Sequence, residues 1–208
     1  MPRSRSKDLH GFAPDECPVA LLLIDWINDL EFDGGDRLFP QALAAAKASA
    51  ALRQRAKQSR VPVIYCNDNF GKWRSDFRSL LEHVLEDEVR GKPIAELLKP
   101  DEEDYFVLKP KHSAFHSTSL EVLLEHLGAS TLILAGIAGN FCVLFTAHDA
   151  YMRDFKLVVP RDCSASEQET DNRHALEHMA NTCKAEIGPS SAIDFARLPG
   201  SLTPVTVD

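Results

Sequence analysis

The chain of 208 residues lacks cysteine pairs at metal or disulfide spacing. Its five cysteines, Cys17, Cys66, Cys142, Cys163 and Cys183, are odd in number, and no two form a CxxC pair. This excludes a zinc ribbon and a disulfide framework and points to a reducing, cytosolic setting. Positive charge is also short. With 23 Lys and Arg against 31 Asp and Glu the formal charge is −8. That is the wrong sign for displacing counterions from nucleic acid or docking on anionic lipid. There is no internal repeat and no Ser/Gly-rich linker. The opening MPRSRSKDLHGF has no apolar core, so residues 1–17 read as a frayed tail rather than a secretory signal, and 18–208 as a single domain. One stretch, residues 127–147, carries no Lys, Arg, Asp or Glu. It is interrupted by GIAGN and by Ser130, Thr131 and Thr146, so it reads as a buried strand, a turn and a buried helix rather than a membrane span.

What is present is ordinary globular material, 44% hydrophobic and 26% charged, which rules out disorder as the main state. VALLLID (19–25) is a continuous apolar run ending in an acid, as a strand covered on both faces should be. A helix is expected from Pro40 to about Ser59, a strand over 62–68, and a helix capped by Ser75 running to about Arg90, stopped by Gly91 and Pro93. Strand YFVLK (105–109), a helix from Ser119 to Leu127 closed by Gly128, and strand TLILAG (131–136) follow. A helix from Asn140 to about Arg153, strand 155–160, a helix from Glu169 to Thr182 and a short sixth strand, Lys184 to Gly188, complete the series. Such alternation predicts an α/β protein with a central, mostly parallel, six-stranded sheet between two layers of helices.

In such sheets ligands bind beyond the carboxyl ends of the strands. Strand one stops at Asp25, strand three at Lys109, and strand four at AGIAGN with Cys142 just after it. A carboxylate, an amine and a thiol therefore end on one edge. A thiolate is favoured at a helix N-terminus or beside a cation, Asp25 can take and return its proton, and the backbone N–H groups of Gly139 to Cys142 face a developing oxyanion. Cysteine is also a common core residue, and Val143 and Leu144 suit a core helix, so spacing alone leaves both readings open.

Four ordered blocks carry more. LLLIDWIND (21–29), YCNDNFGKWRSDF (65–77), LKPKHSAF (108–115) and LILAGIAGNFCV (132–143) resemble the signature blocks of the isochorismatase-like cysteine hydrolase superfamily, from about Pro18 to Ile187. The resemblance implies a three-layer α/β/α fold and a triad of Asp25, Lys109 and Cys142 as base, lysine and nucleophile. It also implies a cis peptide between Ile137 and Ala138, with the Ala138 and Cys142 N–H groups as oxyanion hole, and assembly into a homo-oligomer, a dimer or tetramer. The nicotinamidase-like branch holds a metal through an Asp-x-His pattern after strand two plus a further His. Here that loop reads Asn67, Asp68, Asn69, Phe70, with no histidine before His83, so neither metal nor cofactor is expected. Members acting on isochorismate typically lack the cysteine. The expectation is a metal-free hydrolase of a small amide or carbamoyl compound, like the carbamoylsarcosine and ureidoacrylate hydrolases, working through a thioester. Isochorismatase-type or nicotinamidase-type activity, a noncatalytic member and a redox sensor pairing Cys142 with Cys66 are the alternatives.

Around this core, Trp26, Phe70, Trp73 and Phe115 follow strand ends and can wall an apolar pocket or pack in the interior. Asn28 and Asn67 can orient a substrate amide or serve as turn residues. Lys72 and Arg74 can grip a carboxylate or be solvated. His174 and His178, four apart on a helix, read as packing or solvent-facing rather than as metal ligands. His112 and His116 flank SAF after Lys109, where one of them can touch the pocket, and neither is assigned a role.

Overall fold

The computed structural model describes residues 16–71 and 76–198. Six strands, β1 (Val19–Ile24), β2 (Val63–Asp68), β3 (Tyr105–Lys109), β4 (Thr131–Ile137), β5 (Lys156–Val158) and β6 (Ser164–Ala165), form one sheet of order β3-β2-β1-β4-β5, with β6 paired to β4 beyond the end of β5. Every pairing is parallel. The helices are α1 (Gly35–Gln58), α2 (Phe77–Glu86), α3 (Lys92–Leu97), α4 (Leu120–Leu127), α5 (Leu144–Tyr151) and α6 (Glu169–Thr182).

The three layers follow from strand alternation, because successive side chains point to opposite faces. Leu21, Leu23, Val63, Tyr65, Ile133 and Ala135 face a core closed by α1, α2 and α3. Ala20, Leu22, Ile24, Ile64, Leu132 and Leu134 face a second core closed by α4, α5 and α6. Both faces are covered, which is why β1 and, after Thr131, β4 are continuously apolar rather than alternating. Helix α1 buries Ala42, Ala45, Ala46, Ser49, Leu52 and Ala56, a stripe at helical spacing whose small side chains let the helix lie close to the sheet. Among the described residues no helix is long and apolar enough to cross a membrane.

The departures from expectation have local causes. Helix α1 starts at Gly35, and Pro40 lies inside it, close enough to the N-terminus that only one intrahelical bond is forgone. The helix expected over 75–90 is two. Asp76 caps α2 by accepting the Ser79 N–H at 2.8 Å, and Ser75 lies outside the described residues. Gly91 and Pro93, read as stop signals, instead open α3, where a proline costs nothing in the first turn. The expected sixth strand at 184–188 is not one, since only Glu186 bridges to Val158. The sixth strand is Ser164–Ala165, two residues with no strand signature. The helix expected from Asn140 begins as a π-helical turn, Gly139–Val143, before α5.

Candidate active site

Strand register assembles the site. Ile24 lies opposite Cys66 on one side and Gly136 on the other, and Asp68 lies opposite Lys109. The close approach of β1 and β4 at this row requires glycine: a Cβ on Gly136 would sit 2.3 Å from the Ile24 carbonyl oxygen. Asp25, one residue past β1, turns the chain with φ of 54°, a left-handed conformation that Asp tolerates better than most residues. Its N–H donates to the Cys66 carbonyl at 3.0 Å. Its Oδ1 accepts the Asp68 N–H at 2.7 Å, and its Oδ2 lies 2.8 Å from Lys109 Nζ. Lys109 is fully buried, and the same ammonium stands 3.4 Å from Asp68 Oδ2 and 3.5 Å from Cys142 Sγ.

Cys142 sits in the π-helical turn, where Val143 N–H reaches back to the Ala138 carbonyl at 3.3 Å, a local irregularity frequent at functional sites. The turn is pinned from three directions. Thr146 donates to the Cys142 carbonyl at 2.7 Å and accepts the Ala114 N–H at 3.0 Å, tying it to the segment after Lys109. Asn140 N–H donates to Ser166 Oγ at 3.1 Å. Gly139 packs so closely on α6 that a Cβ there would sit 1.9 Å from Asn172 Oδ1. The Ile137–Ala138 peptide is cis. Of the N–H groups expected to face an oxyanion, those of Asn140 and Phe141 are already engaged, by Ser166 and by the Ala138 carbonyl.

The electrostatics differ from the expected lowered thiol pKa. Burial pushes the Cys142 thiol up and the Asp25 charge adds to this, with Lys109 opposing. Burial likewise raises the Asp25 carboxyl, against the pull of Lys109. Burial disfavours the Lys109 charge, but Asp25, Cys142 and Asp68 more than offset it, so the ammonium is held above its usual range. These directions favour a neutral thiol and a charged ammonium, with Lys109 opposing the effect of burial on the Asp25 carboxylate. With Asp25 ionised, transfer of the thiol proton to it would leave the trio's net charge unchanged and produce a nucleophilic sulfur.

Buried Asp25 and Cys142 line a cleft of about 510 Å³, with Ala138 and Asn28 beside them and the half-exposed Phe32, Phe70 and Phe141 in its walls. Asn28 also accepts the Leu30 N–H at 2.8 Å, a turn contact. Three expected substrate contacts do not reach the cleft. Trp26 is fully buried in the α1-side core. Asn67, on the opposite face of β2 from Cys66, donates to the Ile27 carbonyl at 2.7 Å and braces the loop after β1. Phe115 lies in the other core, 5.9 Å from the Phe155 ring and under the Arg153 guanidinium. Trp73, Lys72 and Arg74 lie outside the described residues.

Cleft residues that the sequence reading left without a role are His112, whose Nδ1 is 3.9 Å from Cys142 Sγ, and Asp68, Glu167 and Asp171. His112 stands three residues past Lys109, and that proximity was its only signal. His178 meets His148 of α5 at 3.1 Å. Among the described residues no three His, Cys, Asp or Glu side chains gather as a metal site. All five cysteines are buried, and none is in a disulfide.

Known proteins share this architecture. The isochorismatase domain profile matches residues 19–188. The uncharacterized isochorismatase family protein YaaI of Bacillus subtilis (strain 168) is 43% identical over 168 residues, covering 81% of this chain and 92% of that protein. Maleamate amidohydrolase of Pseudomonas putida is 30% identical over 173 residues, covering 78% of this chain and 76% of that enzyme. Among solved structures, N-carbamoylsarcosine amidase of Thermoplasma acidophilum superposes with a TM-score of 0.65 at 22% identity, covering 85% of this chain and 98% of that one, a likeness of fold. With sequence and fold in agreement over most of its length, the chain belongs to the isochorismatase family.

Proposed function

We propose that the protein is a cysteine-dependent hydrolase that cleaves the C–N bond of a small amide or carbamoyl compound through a thioester on Cys142. The observation that carries this reading is the buried Lys109 ammonium, 2.8 Å from Asp25 and 3.5 Å from Cys142 Sγ, beside an open cleft. A buried lysine held charged between a carboxylate and a thiol has little structural rationale, since an apolar group of equal volume would serve as well. The names of relatives acting on maleamate and N-carbamoylsarcosine support the reaction class.

In this reading the Asp25 carboxylate accepts the Cys142 proton as Sγ attacks the carbonyl carbon. The oxyanion is received by the N–H groups of Ala138 and Cys142. The C–N bond breaks as Asp25 passes its proton to the departing nitrogen, releasing ammonia or an amine. Water then attacks the thioester, giving one proton to Asp25, and the acid product leaves as that proton returns to sulfur. Lys109 keeps its proton throughout and stabilises whichever partner is negative. Asn28 and Phe70 contact the substrate.

The assembly is read as a homo-oligomer, because Phe141, Phe145 and Met152 form an exposed apolar stripe running from the cleft wall along α5; sedimentation would show a dimer or tetramer. The chemistry is tested by ammonia release from a panel of amides, ureas and carbamoyl compounds. Cys142→Ala and Cys142→Ser should each lower turnover at least about a thousandfold. Undiminished turnover in either variant would falsify the scheme.

A further inference from the structure

The charges around the cleft are lopsided. Four carboxylates line it, those of Asp25, Asp68, Glu167 and Asp171. Among the described residues only two Lys or Arg side chains answer them: Lys109, against Asp25 and Asp68, and Arg37, 2.8 Å from Glu167. Lys109 is fully buried behind Asp25, and its donors already face Asp25, Asp68 and Cys142, so it offers no hand to a carboxylate in the cleft. Asp171 is exposed at the start of α6 and has no cation within 4.0 Å among the described residues. The apolar part of the walls is flat and aromatic: Phe32, Phe70 and Phe141 are 44%, 42% and 49% exposed. Ring faces carry negative quadrupole density and attract cations rather than anions.

Resting on the hydrolase reading above, we infer that the cleft selects amides bearing no carboxylate: uncharged or cationic small amides with a flat apolar group. An anionic amide entering beside Asp68, Glu167 and Asp171 meets like charge where the described residues supply no free Lys or Arg, and such juxtaposition is how a site rejects a wrong partner. The substrate of this chain then differs in charge from maleamate, the amide named for one of its relatives.

Two matched pairs test this on the full-length protein. The first is alkylation of Cys142 by iodoacetamide and by iodoacetate, which differ in charge but form the same S–C bond, lose the thiol proton and release iodide. The rate ratio at Cys142, read by peptide mass spectrometry and divided by the ratio for free glutathione, should favour the neutral reagent by about tenfold or more. The preference should shrink with added salt and in Glu167→Gln/Asp171→Asn. The second pair is turnover of maleamide against maleamate, with the same direction expected. A normalised ratio at or below one overturns the inference. So does a preference for iodoacetate that vanishes in Lys72→Ala/Arg74→Ala, which would give those two residues the substrate carboxylate. Resistance of Cys142 to both reagents overturns it too, since a cleft that admits neither selects nothing. If iodoacetamide is preferred but neither amide nor any other is hydrolysed, charge selection stands and the hydrolase reading falls.

Discussion

Replacing Lys109 by methionine tests how the buried charges are balanced. The side chain is fully buried, and its ammonium lies 2.8 Å from Asp25 Oδ2 and 3.4 Å from Asp68 Oδ2. In an effective dielectric of roughly 20, a pair at that shorter distance attracts by about 6 kcal/mol. Much of this is offset by desolvation, and removing one member of such a pair costs about 3–5 kcal/mol because the other is left buried and uncompensated. Asp68 is partly exposed and contributes little of this. Asp25 can escape only by taking up a proton. Burial already raises its pKa and Lys109 holds it down, so the variant raises it further. A carboxyl with a raised folded-state pKa stabilises the fold below its unfolded value and loses that stability as pH rises through the folded one. The gap in unfolding free energy between wild type and Lys109→Met should therefore be small in acid. It should widen by up to about 1.4 kcal/mol per pH unit across the interval between the two Asp25 values, then level off. Urea unfolding at a series of pH values measures this. Asp25→Asn/Lys109→Met should recover most of the loss, because the pair has been replaced rather than broken. A gap that is independent of pH, or a double variant no better than the single one, would refute the reasoning.

Other expectations follow from packing and charge. Gly136→Ala places a Cβ against the Ile24 backbone and should cost about 3 kcal/mol or more, whereas Gly188→Ala, with open space around the new methyl, should stay within about 0.5 kcal/mol; thermal melts of both decide. Phe115→Ala should cost about 3–5 kcal/mol yet leave KM unchanged, because the ring is a core residue; a raised KM in a folded variant would return it to the cleft wall. Asp101 is held below the usual carboxylate value of 3.8 by its hydrogen bond from Lys57, so it contributes stability above that value and loses it as pH falls. The small Tm deficit of Lys57→Met should accordingly close in acid.

Much of this was legible before any coordinates. Strand ends are marked by composition, so Asp25 and Lys109 fell on one sheet edge, and β3 and α6 match their expected bounds. Side-chain direction was not legible. Asn67 and Asp68 are neighbours in β2, yet pleating sends Asn67 to brace a loop and Asp68 to the cleft. Trp26 follows Asp25, whose left-handed turn breaks the strand's alternation and sends the indole into the core. Glu167 and Asp171 reach the cleft only because β6, two residues without any strand signature, pairs with β4 and swings the start of α6 over the sheet edge. A helix terminus and a nearby cation favour a thiolate, but burial, which sequence position does not display, dominates at Cys142 and raises the thiol pKa.

The most direct test is to quench the enzyme during turnover of a hydrolysable amide and weigh the peptide that carries Cys142. A thioester formed there should add the mass of the substrate's acyl part, disappear under hydroxylamine and be absent from Cys142→Ala. Sustained turnover with no acyl group on that cysteine, or with the group on another residue, would contradict the account.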